Sequence, residues 1–247
     1  MNEMQFHENR ATFSGKSAYE KIRRFYDFKK GEKLRILDVG CGNGKLAEYL
    51  VGLRHEVVGI DAQIASEKKD SYTHIQQDLS LVWKVAPDYF DMVICTDVAE
   101  HLYNPTHILK QSELVLKSGG LLIFGVPNHF DLRQRLRMFF GKGIVHWDNV
   151  QYGQKSWDYS HVRFFSLKDL GEMFQSFNWQ VEQLQLNFMG GGLIPTRLTP
   201  TFLRAALLNL WPNLFSGKFI FCMRKSADVK NESLPKIIRL PFTPKDF

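Results

Sequence analysis

A chain of 247 residues with 44% hydrophobic content can bury the core of one large domain plus an insertion, which excludes fibrous and wholly disordered classes. Three cysteines, Cys41, Cys95 and Cys222, lie far apart with no Cys-x-x-Cys pair; this excludes zinc-ligand spacing and is the pattern of a reduced, cytoplasmic protein. The net charge of +6 is that of a basic solvated surface, compatible with an anionic substrate or membrane surface.

Residues 1–16 are polar and lack the apolar core of a signal peptide. Tyr19, Ile22, Phe25 and Tyr26 then fall at helical intervals over residues 16–28, with Gly31 as a stop, so residues 1–32 are expected to form a helical segment capping the site. The main domain is expected over residues 33–226. Leu34, Ile36, Leu37 and Val39 read as a strand buried on both faces. Gly40, Gly42 and Gly44 follow at alternate positions, and Leu46, Ala47 and Leu50 come next at helical spacing. Glycines on a strand-to-helix turn permit positive φ and let a ligand lie against backbone, while the helix start offers unpaired N–H groups.

Further strands are predicted over residues 55–60, ending in Asp61, and 72–77, ending in Asp78; a fourth covers 90–95. A helix over 105–116 and the Gly119-Gly120 turn lead to a fifth strand over 121–126. Strands alternating with helices mean a parallel sheet with helices on both faces. After Pro127 the alternation stops, and residues 128–160, rich in arginine, aromatics and glycine, read as a lid-like insertion. Order resumes with Ser166 as the N-cap of a helix over 167–177 and a sixth strand over 179–187. A loop starts at Gly190-Gly191-Gly192, a helix is expected over 201–210, and a last strand over 218–224. The apolar stretch 202–215 is broken by Arg204 and Pro212 and is too short to span a bilayer. Residues 227–247, with Pro235, Pro241 and Pro244, have no periodicity and read as an extended or disordered tail.

Open parallel sheets bind ligands outside the carboxyl ends of their strands. Asp38, Asp61 and Asp78 all fall at that edge. A carboxylate after the second strand can accept both hydroxyls of a ribose, and one at the third can accept from an adenine amino group. In order behind a glycine loop, the three indicate an adenosine site.

These residues carry a resemblance. From Lys33 to Arg224 the chain resembles the class I S-adenosylmethionine-dependent methyltransferases. Asp38, Gly40, Gly42 and Gly44 match the first motif, and Asp61 and Asp78 match the acidic residues after the second and third strands. The run Phe90-Asp91-Met92-Val93-Ile94-Cys95-Thr96-Asp97-Val98-Ala99-Glu100-His101-Leu102 matches the fourth-strand motif, and Leu116-Lys117-Ser118-Gly119-Gly120-Leu121 the one before the fifth strand. The resemblance implies an α/β, Rossmann-like, seven-stranded and mostly parallel sheet with an antiparallel last strand. It implies S-adenosyl-L-methionine as cofactor, held by Asp38, Gly40, Cys41, Gly42, Gly44, Asp61, Ala62, Asp78, Leu79 and Thr96. Two other classes stay open: a nicotinamide-dependent oxidoreductase, because Gly42-x-Gly44-x-x-Ala47 fits the dinucleotide fingerprint, and a non-catalytic cofactor-binding module. Asp38 argues against the first, since a pyrophosphate there would be repelled and a sulfonium or ammonium tolerated.

Cys95-Thr96-Asp97-Val98 lacks both the Pro-Pro-aromatic signature of base amino-methylation and the Pro-Cys nucleophile of C5-cytosine enzymes, so no nucleic-acid partner is expected. Ala99-Glu100-His101-Leu102 with Asn104-Pro105 resembles the small-molecule branch, including ubiquinone-pathway O-methyltransferases. Val126-Pro127-Asn128 and the segment from Tyr159 to Ser166 resemble methyltransferases of bacterial surface-glycan pathways. The acceptor implied is a small molecule, a glycan or a lipid-linked group, methylated on a hydroxyl oxygen, with amine and carboxylate acceptors as alternatives. His101 and His161 are the candidate bases, neutral near pH 7, with Asp97 as the group that could orient either. Each histidine has a purely structural alternative. The paired acidic ligands of catechol-type magnesium sites are not recognisable, so no metal is expected. In the insertion, Leu132, Leu136, Phe139 and Phe140 share one helix face beside Arg133 and Arg137. That face suits an acceptor lid, a peripheral contact with the inner face of the membrane, or packing against Phe202, Leu203, Ala206, Leu207 and Leu210. Oligomeric state is not legible.

Overall fold

The structure is a computed structural model and describes residues 19–20, 22–28, 31–63, 71–145, 155–177, 179–189 and 199–225. The elements in order are β1 (Arg35–Val39), α1 (Lys45–Gly52), β2 (Glu56–Asp61), β3 (Thr73–Gln76), β4 (Phe90–Thr96), α2 (Thr106–Val115), β5 (Leu116–Pro127), α3 (Leu132–Phe139), α4 (Leu167–Gln175), β6 (Trp179–Phe188), α5 (Thr201–Leu210), α6 (Pro212–Phe215) and β7 (Ser216–Lys225). They build a seven-stranded sheet in the order β3-β2-β1-β4-β5-β7-β6. β1 to β5 are parallel, and β7 runs antiparallel to both neighbours. The strand order reverses between β1 and β4, which makes their carboxyl ends the place for a ligand crevice.

The continuous aliphatic runs are strands because both sheet faces are covered. On one face Ile36, Met92, Ile94, Ile123 and Ile220 pack with Ala47 and Leu50 of α1 and with Tyr19, Ile22 and Phe28. On the other, Leu37, Val93, Leu122, Phe124 and Phe221 pack with Ile108 and Leu109 of α2, Leu170 and Phe174 of α4, and Leu208 of α5. Each such fully buried side chain is worth about 1.5–3 kcal/mol relative to exposure. The N-terminal residues thus lie on α1 and the start of β2, where the Phe28 carbonyl is 2.9 Å from Nε2 of His55. Whether residues 1–18 reach the site lies outside the described residues, as do the glycine loop at 190–192 and the tail from 227.

β5 starts five residues before the strand expected at 121, taking in Leu116–Gly120. Gly119, at φ 74°, absorbs the register shift opposite Phe90 and Met92. The insertion contains α3, N-capped by Asp131, whose Oδ1 accepts from Gln134 N–H at 3.0 Å. Phe139 at the end of α3 and Phe140 just beyond meet edge to face, ring centroids 5.3 Å apart, and are 81% and 70% exposed; Phe202 on α5 is 76% exposed, so neither pair member is buried against it.

At α4, Ser166 and Asp169 form a reciprocal capping box. Ser166→Ala should lower stability by about 1 kcal/mol, read as a lower urea midpoint at unchanged slope.

Candidate active site

The loop after β1 crosses the sheet edge into α1 through Gly40, Gly42 and Gly44, which hold φ of 73°, 53° and 74°. All three need the left-handed region, but their surroundings differ. A Cβ on Gly40 would fall 2.3 Å from Val98 Cγ2, and one on Gly44 1.8 Å from the Tyr72 hydroxyl. A Cβ on Gly42 would meet nothing within 4 Å. Gly40 and Gly44 are packing positions; Gly42 is where open backbone can meet a ligand.

Asp61, at the end of β2, ties this loop down. Its Oδ2 accepts from Gly42 N–H at 2.8 Å and its Oδ1 from Gln63 N–H at 2.9 Å. Gln76 Nε2 donates to the Ala62 carbonyl at 3.1 Å, and Gln77 N–H to the Asp61 carbonyl at 2.8 Å, which joins the end of β3 to the same edge. Asp78 is exposed to that edge, and Oδ1 accepts from both the N–H and the hydroxyl of Ser80, at 2.8 and 2.7 Å. Those bonds hold its carboxyl below the usual range. Leu79 is buried, its carbonyl accepting from the Trp83 indole at 3.3 Å, and Thr96 closes β4 beside Gly125.

Asp38 pairs in register with Gly59 and Ile94 and shares the α1-covered face with Ile36. It is 5% exposed, and its Oδ2 has no hydrogen-bond partner among the described residues. Burial, then the charge of Asp61, pushes its carboxyl up to about 7. Burial likewise pushes the Cys41 thiol up. A buried, unpartnered carboxylate beneath open backbone gains from a cationic ligand and repels a pyrophosphate. The residues therefore fit a sulfonium or ammonium group carried on an adenosyl ligand.

A second cluster follows β4. Asp97 sits at φ 61°, its N–H donating to the Gly125 carbonyl at 2.9 Å. Its carboxylate forms an ion pair with Lys218 of β7, a partner across the sheet that the sequence did not indicate. Residues Ala99–His101 make a 3-10 turn in which Glu100 is fully buried. The Glu100 carbonyl accepts from Val162 N–H at 2.8 Å and Arg163 N–H at 3.1 Å, clamping the chain around residue 161 onto the turn. His101 and His161 consequently meet edge to face, ring centroids 4.6 Å apart. His129, 1% exposed just beyond β5, puts Nε2 2.7 Å from His161 Nδ1. The Tyr159 hydroxyl lies 2.8 Å from that same Nδ1, and Nδ1 of His101 lies 3.2 Å from the Ser160 carbonyl.

The structure thus brings both predicted histidines together and adds Glu100, His129, Tyr159 and Lys218, to which sequence reasoning assigned no role. Glu100 and Tyr159 stood inside recognised motifs, and His129 beside one. Lys218 carries no local signal.

A family described as Methyltransferase domain matches residues 7–184. The chain belongs to that family. It is an S-adenosylmethionine-dependent methyltransferase, which implies S-adenosylmethionine as cofactor and removes the dinucleotide reading. The ubiquinone biosynthesis O-methyltransferase of Ruegeria pomeroyi is 26% identical over 185 residues, covering 66% of this chain and 74% of that protein. The enzyme of the same name from another Ruegeria species is 32% identical over 122 residues, where this methyltransferase spans 49% of its relative's length. Among solved structures, a SAM dependent methyltransferase from Archaeoglobus fulgidus superposes with a TM-score of 0.58 at 16% identity, covering 91% of this chain and all of that one, at 100%. One from Mesorhizobium loti gives a TM-score of 0.54 at 15% identity, covering 83% and 96%. At these identities the structures share the fold.

An unfolded aspartate titrates at 3.8 and folded Asp38 at about 7. The native state keeps a proton that the unfolded chain releases, so Asp38's stabilising contribution is complete below about pH 4 and is lost as pH rises through about 7. In the ligand-free methyltransferase, stability relative to Asp38→Asn should fall by on the order of a few kcal/mol between about pH 5 and about pH 8. Urea unfolding of both proteins at the two pH values measures this, and an unchanged difference would contradict the desolvation of Asp38.

Proposed function

We propose that this methyltransferase transfers a methyl group to a hydroxyl oxygen of a small-molecule, glycan or lipid-linked acceptor. The observation that carries the proposal is the adjacency of two unlike centres at neighbouring strand ends: the buried Asp38 carboxylate in β1 and a buried carboxylate–imidazole cluster after β4. The relatives named O-methyltransferases support oxygen as the atom methylated.

When bound, S-adenosylmethionine supplies a methyl group activated on a sulfonium. Asp38 would favour the cationic end by charge. Gly40, Cys41, Gly42 and Gly44 would give it backbone without side-chain obstruction. Asp61 and Ala62 would hold the ribose side, and Asp78, Leu79 and Thr96 would line the adenine side. Asp61 can accept ribose hydroxyls through lone pairs beyond those used by Gly42 and Gln63. On the acceptor side, His101 and His161 would draw off the hydroxyl proton as oxygen becomes the nucleophile, with the buried Glu100 side chain beside them. Asp97, through its Lys218 ion pair, would fix the turn that carries them. The insertion starts at His129's neighbours and ends at Tyr159, so its two described ends would wall the acceptor side as a lid.

The surface favours an acceptor presented at a membrane. Phe139 and Phe140 at the end of the arginine-rich α3, Phe202 and Trp211 on the α5–α6 stretch, and Trp157 are exposed. Aromatics flanked by arginines suit a peripheral place among anionic head groups, here on the cytoplasmic face. Among the described residues no helix is long and apolar enough to cross a membrane.

Asp61→Ala should weaken S-adenosylmethionine binding by about 1.5–3 kcal/mol, the scale of charge-assisted hydrogen bonds. Calorimetry checks this, and binding of NAD in place of S-adenosylmethionine would defeat the cofactor assignment. Incubation with labelled cofactor and a lipid-linked glycan extract, followed by mass spectrometry, should show labelled methyl ethers; labelled amines or esters alone would refute oxygen as the target. With the acceptor in hand, His101→Ala should lower turnover by roughly 10²–10⁴ at nearly unchanged cofactor affinity. The protein should co-sediment with anionic vesicles at low salt, and Phe139→Ser with Phe140→Ser should release it. No retention of the wild type would remove the membrane reading.

A further inference from the structure

We infer that His129 and Tyr159 are positioning residues for the proton transfer: they hold His161 as a fixed backing for His101, whose Nε2 is the atom that takes the acceptor's proton. This rests on the reading of His101 and His161 as the acceptor-side bases and divides the work between them. Hydrogen-bond chemistry sets the tautomer of His101. Its Nδ1 lies 3.2 Å from the Ser160 carbonyl. A carbonyl oxygen only accepts, so Nδ1 carries the hydrogen and the lone pair of the neutral ring is on Nε2. Main-chain bonds hold Ser160 in place: the Glu100 carbonyl accepts from Val162 and Arg163 N–H at 2.8 and 3.1 Å, and Arg163 Nε donates to the Tyr103 carbonyl at 2.9 Å.

His161 is placed differently. It is buried while His101 is partly exposed, so of the two rings His101 is the one an acceptor can reach. Two side chains meet Nδ1 of His161, with His129 Nε2 at 2.7 Å and the Tyr159 hydroxyl at 2.8 Å, and those two lie 3.2 Å from each other. One hydrogen fits between the two imidazoles, since a second would set N–H against N–H, so the pair holds it as a unit while the hydroxyl donates to one of the two ring nitrogens. Phe164 closes on His129 edge to face, ring centroids 4.8 Å apart. Turning either buried ring would break these bonds and strand a polar atom. The contact of His161 with His101, edge to face at 4.6 Å between centroids, passes that fixity to the base.

As the acceptor oxygen bonds to the methyl carbon, with the electron pair of the broken methyl–sulfur bond staying on sulfur, the hydroxyl proton passes to His101 Nε2. The ring becomes an imidazolium with an N–H at each nitrogen, keeps its Nδ1–H on the Ser160 carbonyl, and returns the proton to solvent. A fixed ring matters because a displacement of about 1 Å at a reacting group costs up to roughly 100-fold in rate.

The test is long-range proton–nitrogen correlation NMR of the full-length protein with ¹⁵N-labelled histidine, at about pH 8 so that the rings are neutral, and it needs no acceptor. His101→Gln and His161→Gln assign the signals. The expected wild-type result is a hydrogen on Nδ1 and a lone pair on Nε2 of His101. Tyr159→Phe, which removes one hydroxyl, and His129→Gln should each shift the ring nitrogens of His161, with S-adenosylmethionine affinity unchanged by calorimetry. A wild-type protein with the hydrogen on Nε2 of His101 overturns the inference whether or not the variants fold. Unchanged His161 signals in both folded variants also overturn it. With a hydroxyl acceptor in hand, His129→Leu should lower kcat by about 10–100-fold at nearly unchanged KM, and His129→Gln, which keeps a polar side chain there, should recover part of the loss; equal losses in the two would refute positioning through the hydrogen bond. Labelled amines in place of ethers count against the oxygen reading, whereas the wrong tautomer counts against this inference, so the two failures are told apart.

Discussion

The ligand edge depends on one close approach, the loop after β1 lying against the turn after β4. Gly40 and Val98 touch with no room for a Cβ, and Gly44 is similarly filled by the Tyr72 ring. Such contacts let two loops from adjacent strands close over the sheet and bury Asp38 beneath them. All three glycines of this loop hold positive φ, the conformation that carries the chain from β1 over the sheet edge into α1. Asp61 then fixes the remaining slack by accepting the Gly42 N–H.

That packing sets the electrostatics. Asp38 on β1 and Glu100 in the turn after β4 are both buried acids, and the fully buried thiol of Cys95 on β4 is pushed up by desolvation and then by the charges of Glu100 and Asp38. The two centres therefore share one low-dielectric region. Each asks for positive charge by a different route. Asp38 has an oxygen with no partner among the described residues, which suits a ligand that arrives with its own charge. Glu100 has a carboxylate oxygen within 4.8 Å of a ring nitrogen of His101 and of His161, which suits a proton held locally. A division of this kind lets donor and acceptor chemistry sit side by side without one centre neutralising the other.

The antiparallel β7 serves the site as well as the sheet. Its Lys218 reaches Asp97 at the end of β4, and its Gly217 carbonyl accepts the Asn128 N–H at 3.0 Å. Asn128 also donates through Nδ2 to the Asn213 and Ser216 carbonyls at 2.9 and 2.6 Å. The last strand thereby anchors the start of the insertion and aims His129 at His161. Stability of the acceptor side is tied in this way to completion of the final hairpin.

Local sequence determined the strands, most helices and the place of Asp61 and Asp78 at or just past the strand ends. Alternating glycines, strand-terminal aspartates and aliphatic runs act over neighbouring positions, where backbone sterics and burial on both faces leave few options. Ser166 capping α4 was legible for the same reason. Tertiary structure decided what the acidic and imidazole groups face. Nothing near position 97 in sequence names Lys218, 121 residues away, as its partner. Likewise His101 and His161 are joined by backbone bonds from residues 162 and 163 to Glu100, a contact that exists once the insertion has folded back over β4. Sequence patterns report which face a residue occupies; the partner it meets there depends on where distant loops close, and that is set by packing of the whole sheet.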